Sequence, residues 1–220
     1  MMFWFVSALF GHIANAAAFL VDKMLLSSAL KRSGTYAVLM GGVSGLAILL
    51  TPFVSAWPDR SLFWVILGFG GFFVCALWAF FEAMRQEEAS RVVPIVGTLI
   101  PIFTWIGEHL VLGGAFTMPE MLGFMLLVLA TFLFTKGSGH RQAVSHSVLG
   151  MAVLAAFLFA LASLCGKYAF DHASFLGVLV LSRVCTFITA FGILIVAGQE
   201  VRAEIRGMVV SAAKPQKTRT

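Results

Sequence analysis

Stretches without a single Asp, Glu, Lys or Arg decide what this chain can fold into. Phe3 to Val21, Tyr36 to Trp57 and Ser61 to Phe81 are uncharged throughout. A helix needs about 20 residues to cross the hydrocarbon core of a bilayer, and each of these stretches meets that need. Four further apolar runs follow: Val92 to Leu112 with Glu108 inside, Met118 to Thr135 opening on Pro119 and Glu120, Ser147 to Gly166, and Ala173 to Ala197 with Arg183 inside. Backbone N–H and C=O groups in lipid must be paired within the structure, and at these lengths a helix does that alone. The expected fold class is therefore an all-α integral membrane protein with about seven transmembrane helices. A water-soluble surface is excluded, since 11% of the residues are charged and 60% are hydrophobic, against about 25% charged in ordinary soluble domains. No basic residue precedes the first run, which argues against a cleaved secretory signal.

The charges between the runs carry an orientation. If all seven runs cross, one face holds Lys23, Lys31, Arg32, Arg85, Arg91, Lys136, Arg141, Arg202, Arg206, Lys214, Lys217 and Arg219, and the other holds Arg60 and Lys167. Basic residues are retained on the cytoplasmic side, so the C-terminus is expected inside the cell and the N-terminus outside, in a plasma or bacterial inner membrane. The net charge of +5 is then a topological signal and a contact with anionic head groups. It does not point to nucleic acid. Cys75, Cys165 and Cys185 fall within apolar runs without metal-ligand spacing and read as packing residues.

The longest polar connector, Lys136 to His146, divides five runs from two. On either side of it the chain shows a weak echo, FLVDKMLLSSALKRSGTY in the first block and SLCGKYAFDHASFLGV in the second. Each is an apolar helix reaching a Lys (Lys23, Lys167), then a short polar turn and another run. Five crossings between them would reverse the direction of corresponding helices, which is the arrangement of an inverted-topology repeat. The domain reading is a first five-helix repeat over 1–138, a linker over 139–146, a partial second repeat over 147–199 and a basic tail over 200–220.

From Phe80 the chain reads FFEAMRQEEASRVVPIVGTLIPIFTWIGEHLVLGGAFTMPEMLGFMLLVLATFLF. This resembles the third-to-fifth helix region of EamA-type drug/metabolite transporters. The features that carry it are Ala83 and Met84 at a helix end, the small residues Ala89 and Ser90 in a turn, Pro101 followed by Phe103, and Gly123 in the next helix. GKYAFD and LSRVC, around Arg183, extend it. The resemblance implies a secondary transporter that works by alternating access. Family members commonly carry a Glu after the fourth helix, where this chain has Gly114, and have two five-helix repeats with both ends inside the cell. The second repeat is therefore expected to be truncated here, which keeps a fragment or a noncatalytic membrane scaffold as the alternative to a transporter.

Polar residues inside the runs are the candidate sites, because polar groups in hydrocarbon are costly and turn toward protein or water. His12, Asn15 and Asp22 share a face of the first helix with Gly11 and Ala18, and that face is expected to look into the bundle. Asp22 and Lys23 also fit an interfacial placement at the head groups. Gly71, Cys75, Trp78 and Glu82 recur at four, three and four residues on the third helix, a seam expected to close against the fourth. Gly41 and Gly45 read as close-packing positions. The fourth helix carries Pro94, Gly97, Thr98, Pro101, Thr104, Trp105 and Glu108 on one broad side, and its prolines leave carbonyls unpaired that can meet a ligand or simply shape the helix.

Asn15, Trp78, Thr98, Pro101, Trp105 and Arg183 are thus the candidate substrate contacts, with His12, Glu82 and Glu108 as candidate proton carriers. Arg183 lies deepest, flanked by nine or more apolar residues on each side. Its charge needs a carboxylate, a carbonyl or a substrate anion. The expected cavity is central, lined by the first, third, fourth, sixth and seventh helices. HExxH, paired intramembrane aspartates and a Gly-rich phosphate loop are all missing from the sequence, so no enzyme activity and no cofactor or metal are expected. The expected partners are the lipid bilayer and a small-molecule substrate of unknown identity, with a homodimer allowed.

Overall fold

The computed structural model describes residues 2–28, 32–113, 117–137, 144–196, 199 and 201–206. Lys31, Gly114, Arg141, most of the linker and the tail beyond 206 lie outside the described residues, as do the side chains of Glu120 and Lys136. Every apolar run of the sequence is helical: α1 (Met2–Ser28), α2 (Ser33–Ser44), α3 (Phe63–Gln86), α4 (Ala89–Gly107), α5 (Met118–Gly137), α6 (His146–His172) and α7 (Phe175–Val196). Beyond α7 residues 201–206 are helical as well, and the described residues contain no strand. α2 continues as a 3-10 helix, Gly45–Phe53, and α4 ends in a π-helical turn, Glu108–Leu112. Gly113 stops that turn at φ +66°, a left-handed conformation that glycine adopts without a Cβ penalty.

Six of these helices are long and apolar enough to cross a membrane: Phe5–Met24, Ser33–Phe53, Arg60–Gln86, Ala89–Val111, His146–His172 and Phe175–Ile195. The seventh run is helical as well, α5 covering 20 residues, and its apolar stretch among the described residues is Met121–Ala130.

α3 is the centre of the bundle. It packs on α6, α7 and α2, while α4 packs chiefly on α6 and α5. Small residues make the closest approaches. A Cβ added at Gly70 would stand 2.6 Å from Ser182 O and 2.7 Å from Thr186 N, so α3 crosses α7 backbone to backbone there. One at Gly41 would meet the Ala190 Cβ at 2.3 Å and one at Gly45 the Phe187 ring at 2.9 Å, which seats α2 on α7 as its small residues lead one to expect. α6 buries Ala152, Ala155, Ala156, Ala160, Ala162 and Ala169, a small-residue surface that lets neighbouring helices approach. Phe73 and Phe80 of α3 meet Phe159 edge-on at 5.8 and 6.2 Å, and Phe69 meets Phe170 at 6.0 Å.

Contacts between helix ends sort the charges. Lys23 Nζ donates to Met84 O at 2.7 Å and Glu87 O at 2.9 Å, capping the C-terminal end of α3 with the end of α1. Arg91 pairs with Glu87 at 3.0 Å and Arg85 with Glu82 at 2.6 Å at that same end. Arg202 Nε donates to Leu194 O at 3.1 Å near the end of α7. At the opposite end Lys167 pairs with Glu108, and Ser174 Oγ donates to Ala56 O at 2.5 Å, tying the α6–α7 turn to the segment before α3. The described basic side chains assigned to one face by sequence therefore gather at one end of the bundle. α2 and α7 run antiparallel, with Gly41 against Ala190 and Gly45 against Phe187, as do α3 and α6.

Candidate functional site

The first turn of α2 is a polar hub. Each hydroxyl in the run Ser33, Thr35, Tyr36 goes to a carboxylate on a different element. Ser33 Oγ donates to Glu82 Oε2 of α3 at 2.6 Å, Thr35 Oγ1 to Glu204 Oε2 of the 201–206 helix at 2.6 Å, and Tyr36 OH to Asp22 Oδ1 of α1. Asp22, Ser33 and Thr35 are buried. Near the end of α1 both charges meet protein groups, Asp22 bonding to a buried tyrosine and Lys23 to the carbonyls that end α3.

Beside this hub a cleft of about 870 Å³ opens between α2, α3 and α6. α3 contributes Cys75, Trp78, Ala79, Glu82 and Arg85, and α2 contributes Arg32, Ser33 and Gly34. Met151, Leu154 and Leu158 of α6 form the apolar wall, and Val201 stands at the edge. Trp78 lies against Gly34, where a Cβ would come within 3.4 Å of its Nε1, and leaves 41% of its surface open. Ten residues of helix separate Arg85 from Cys75. At a rise of 1.5 Å per residue the α3 wall runs about 15 Å inward from the basic end, about half of a 30 Å hydrocarbon core.

The carboxylate at the mouth is saturated. Glu82 Oε2 accepts from Ser33 Oγ at 2.6 Å and Arg85 Nε at 3.0 Å. Its Oε1 accepts from Arg85 Nη2 at 2.6 Å and Gln86 Nε2 at 2.6 Å. An ionised carboxylate offers about four lone-pair sites, and all are taken. Arg85 by contrast spends two of its five N–H donors on Glu82 and no others on the described residues.

The structure brings together part of the expected set. Trp78 and Glu82 share the cleft with Cys75, so the α3 seam is a real face, but α2 and α6 flank it where α4 was expected. His12 and Asn15 are exposed on α1 and do not look into the bundle. Thr98, Pro101 and Trp105 stay on α4 outside the cleft: Thr98 Oγ1 donates to Pro94 O at 2.8 Å, and Trp105 stacks on Phe124 of α5 at 6.2 Å and on His109 at 6.4 Å. Thr104 Oγ1 is buried without a hydrogen-bond partner among the described residues. Glu108 is engaged by Lys167. Arg183 sits with its guanidinium carbon 5.3 Å from the centre of the Phe73 ring. Phe73 and Cys75 are two residues apart and so project about 200° apart around α3, which puts Arg183 behind the helix, on the side away from the cleft. The lining differs from expectation accordingly, with α1, α4 and α7 contributing no lining residue.

The sixth helix lines the cleft as expected, while Arg32, Ser33, Gly34, Arg85 and the particular α6 residues Met151, Leu154 and Leu158 were not foreseen. The available signal was three hydroxyls in four residues directly after a basic pair, at the entry to the second run. Among known proteins no family model, no curated protein and no solved structure matches this chain.

Proposed function

We propose that this chain is a membrane transporter of small metabolites or drugs, of the EamA type, and that the cleft between α2, α3 and α6 is its substrate vestibule. The observation that carries the reading is the cleft itself: about 870 Å³ of space reaching from Arg85 inward to Cys75, with an aromatic plate and an aliphatic wall inside and charge at the mouth. A passage from one end of a helical bundle to the middle of the membrane is what one half of an alternating-access cycle requires. Ligand sites of this size are mostly apolar with a few placed polar groups, as here. The basic end, which carries the mouth, is read as cytoplasmic, with the C-terminus inside and the protein in the plasma membrane. α7, opposite in direction to its counterpart α2, fits the start of an inverted repeat.

The test is uptake by the purified chain in liposomes against a broad metabolite panel, with Trp78→Ala as the cleft variant and Glu108→Gln as a variant at the far end. Saturable uptake that falls in Trp78→Ala and persists in Glu108→Gln supports the reading. No flux of any compound, in either protein orientation, would sink it.

A further inference from the structure

The cleft has a surplus of donors and no spare acceptor on its one lining carboxylate, and from this we infer that it binds amphipathic anions, with the anionic head at Arg85 and the apolar body on Trp78 and the α6 wall. The inference rests on the vestibule reading and adds a substrate class to it. Glu82 cannot hold a cationic ligand by hydrogen bonding without losing one of its four donors. Among the described residues Arg85 has three N–H groups left over, on a side chain that lines the cleft and is 42% exposed. Arg32 belongs to the same rim. The first turn of α2, which has no side-chain cap, lines the same cleft, and its dipole adds positive potential there.

The inner part selects for a flat or branched apolar body. Trp78 presents an open ring face, and Met151, Leu154 and Leu158 face it from α6 without a charged group among them. The matching ligand is a monoanionic carboxylate, sulfonate or phosphate ester on a hydrophobic skeleton. An anionic lipid head group and a soluble amphipath share that chemistry.

The experiment is equilibrium dialysis of naphthalene-2-sulfonate, 2-naphthyltrimethylammonium and 2-naphthylmethanol against the full chain in phosphatidylcholine nanodiscs, with empty discs as the blank. Saturable binding is expected for the sulfonate, at least about tenfold tighter than for the ammonium or the alcohol, the gap that a charge-assisted hydrogen bond produces. Arg85→Gln should remove that gap and shift preference toward the ammonium, because Glu82 then keeps only Ser33 and Gln86 as donors. Arg85→Lys should restore the anion preference in part, which a merely structural role for Arg85 would not do. If Arg85→Gln does not fold, Arg85→Met carries the same test. Discs containing phosphatidylglycerol identify the source: competition assigns the head to a lipid, and no competition assigns it to a soluble anion. Equal binding of ammonium and sulfonate by the wild-type chain, or undiminished sulfonate binding by folded Arg85→Gln, overturns the inference. Selective binding without flux in liposomes would instead remove the transport reading and leave this one standing.

Discussion

At the scale of single residues, the buried Asp22 depends on one neighbour. Among the described residues the Tyr36 hydroxyl is its donor, and the ring that carries it packs on Phe81 at 4.5 Å. Tyr36→Phe keeps the ring and removes the donor. A buried acceptor left unpaired costs about 1–3 kcal/mol. We expect a loss of that size in thermal unfolding of the detergent-solubilised protein. Asp22→Ala with Tyr36→Phe should cost less than the sum of the two single changes, because partners in one hydrogen bond couple by about 0.5–3 kcal/mol. Strict additivity would show that the pair does not hold α1 to α2. Arg183 poses the opposite problem. It has a single aromatic partner, Phe73, and no carboxylate among the described residues. An Arg at the centre of a membrane helix costs about 2.5–3.5 kcal/mol on insertion scales, while a cation–π contact returns about 0.5–2 kcal/mol. Arg183→Met should therefore raise stability by around 1 kcal/mol, read as a higher midpoint in the same unfolding assay. A lower midpoint would mean that Arg183 holds something more than the Phe73 ring.

Among the elements, α3 shows how far helical spacing carries and where it stops. Gly71, Cys75, Trp78 and Glu82 line up by their spacing alone, and three of the four line one cleft. The partner of that face was not legible, since neighbours in sequence need not be neighbours in the bundle. α6, with its alanine-rich surface, packs on α3 more closely than α4 does. Gly70, one residue from the seam, escaped notice for a similar reason. Its significance is the distance to a helix more than a hundred residues away. That distance makes a prediction. Gly70→Ala places a Cβ 2.6–2.9 Å from Ser182 O, Thr186 N and the Cys185 Cβ, and the backbone atoms among them cannot swing aside as a flexible side chain would. Overpacking of this kind costs about 1–3 kcal/mol. Gly42→Ala, which meets nothing within 4 Å on α2, should leave the unfolding midpoint unchanged or slightly higher. Equal effects of the two changes would show that α3 and α7 are not in backbone contact.

For the whole molecule, charge and apolar length carry most of what the sequence makes readable. The described basic residues assigned to one face do converge, because each helix that ends at that face places its terminal charges in the same layer. The cleft was less legible, since a cavity is whatever surface packing leaves uncovered, and no local pattern encodes that. Its wall combines three elements from distant parts of the chain. Cys75 offers a direct probe of it. It lines the cleft about 15 Å in from Arg85 by helical rise, whereas Cys185 is buried at the Gly70 crossing. With Cys165→Ser and Cys185→Ser in place, a membrane-impermeant methanethiosulfonate should modify Cys75 in vesicles whose outer face is the basic end, read as a mass increase of the intact protein. Vesicles of the opposite orientation should protect it. A thiol sealed in hydrocarbon stays unreactive from both sides, and a passage open throughout reacts from both. Only a water-filled half-passage gives one-sided labelling, so either of the other two outcomes would end the vestibule reading.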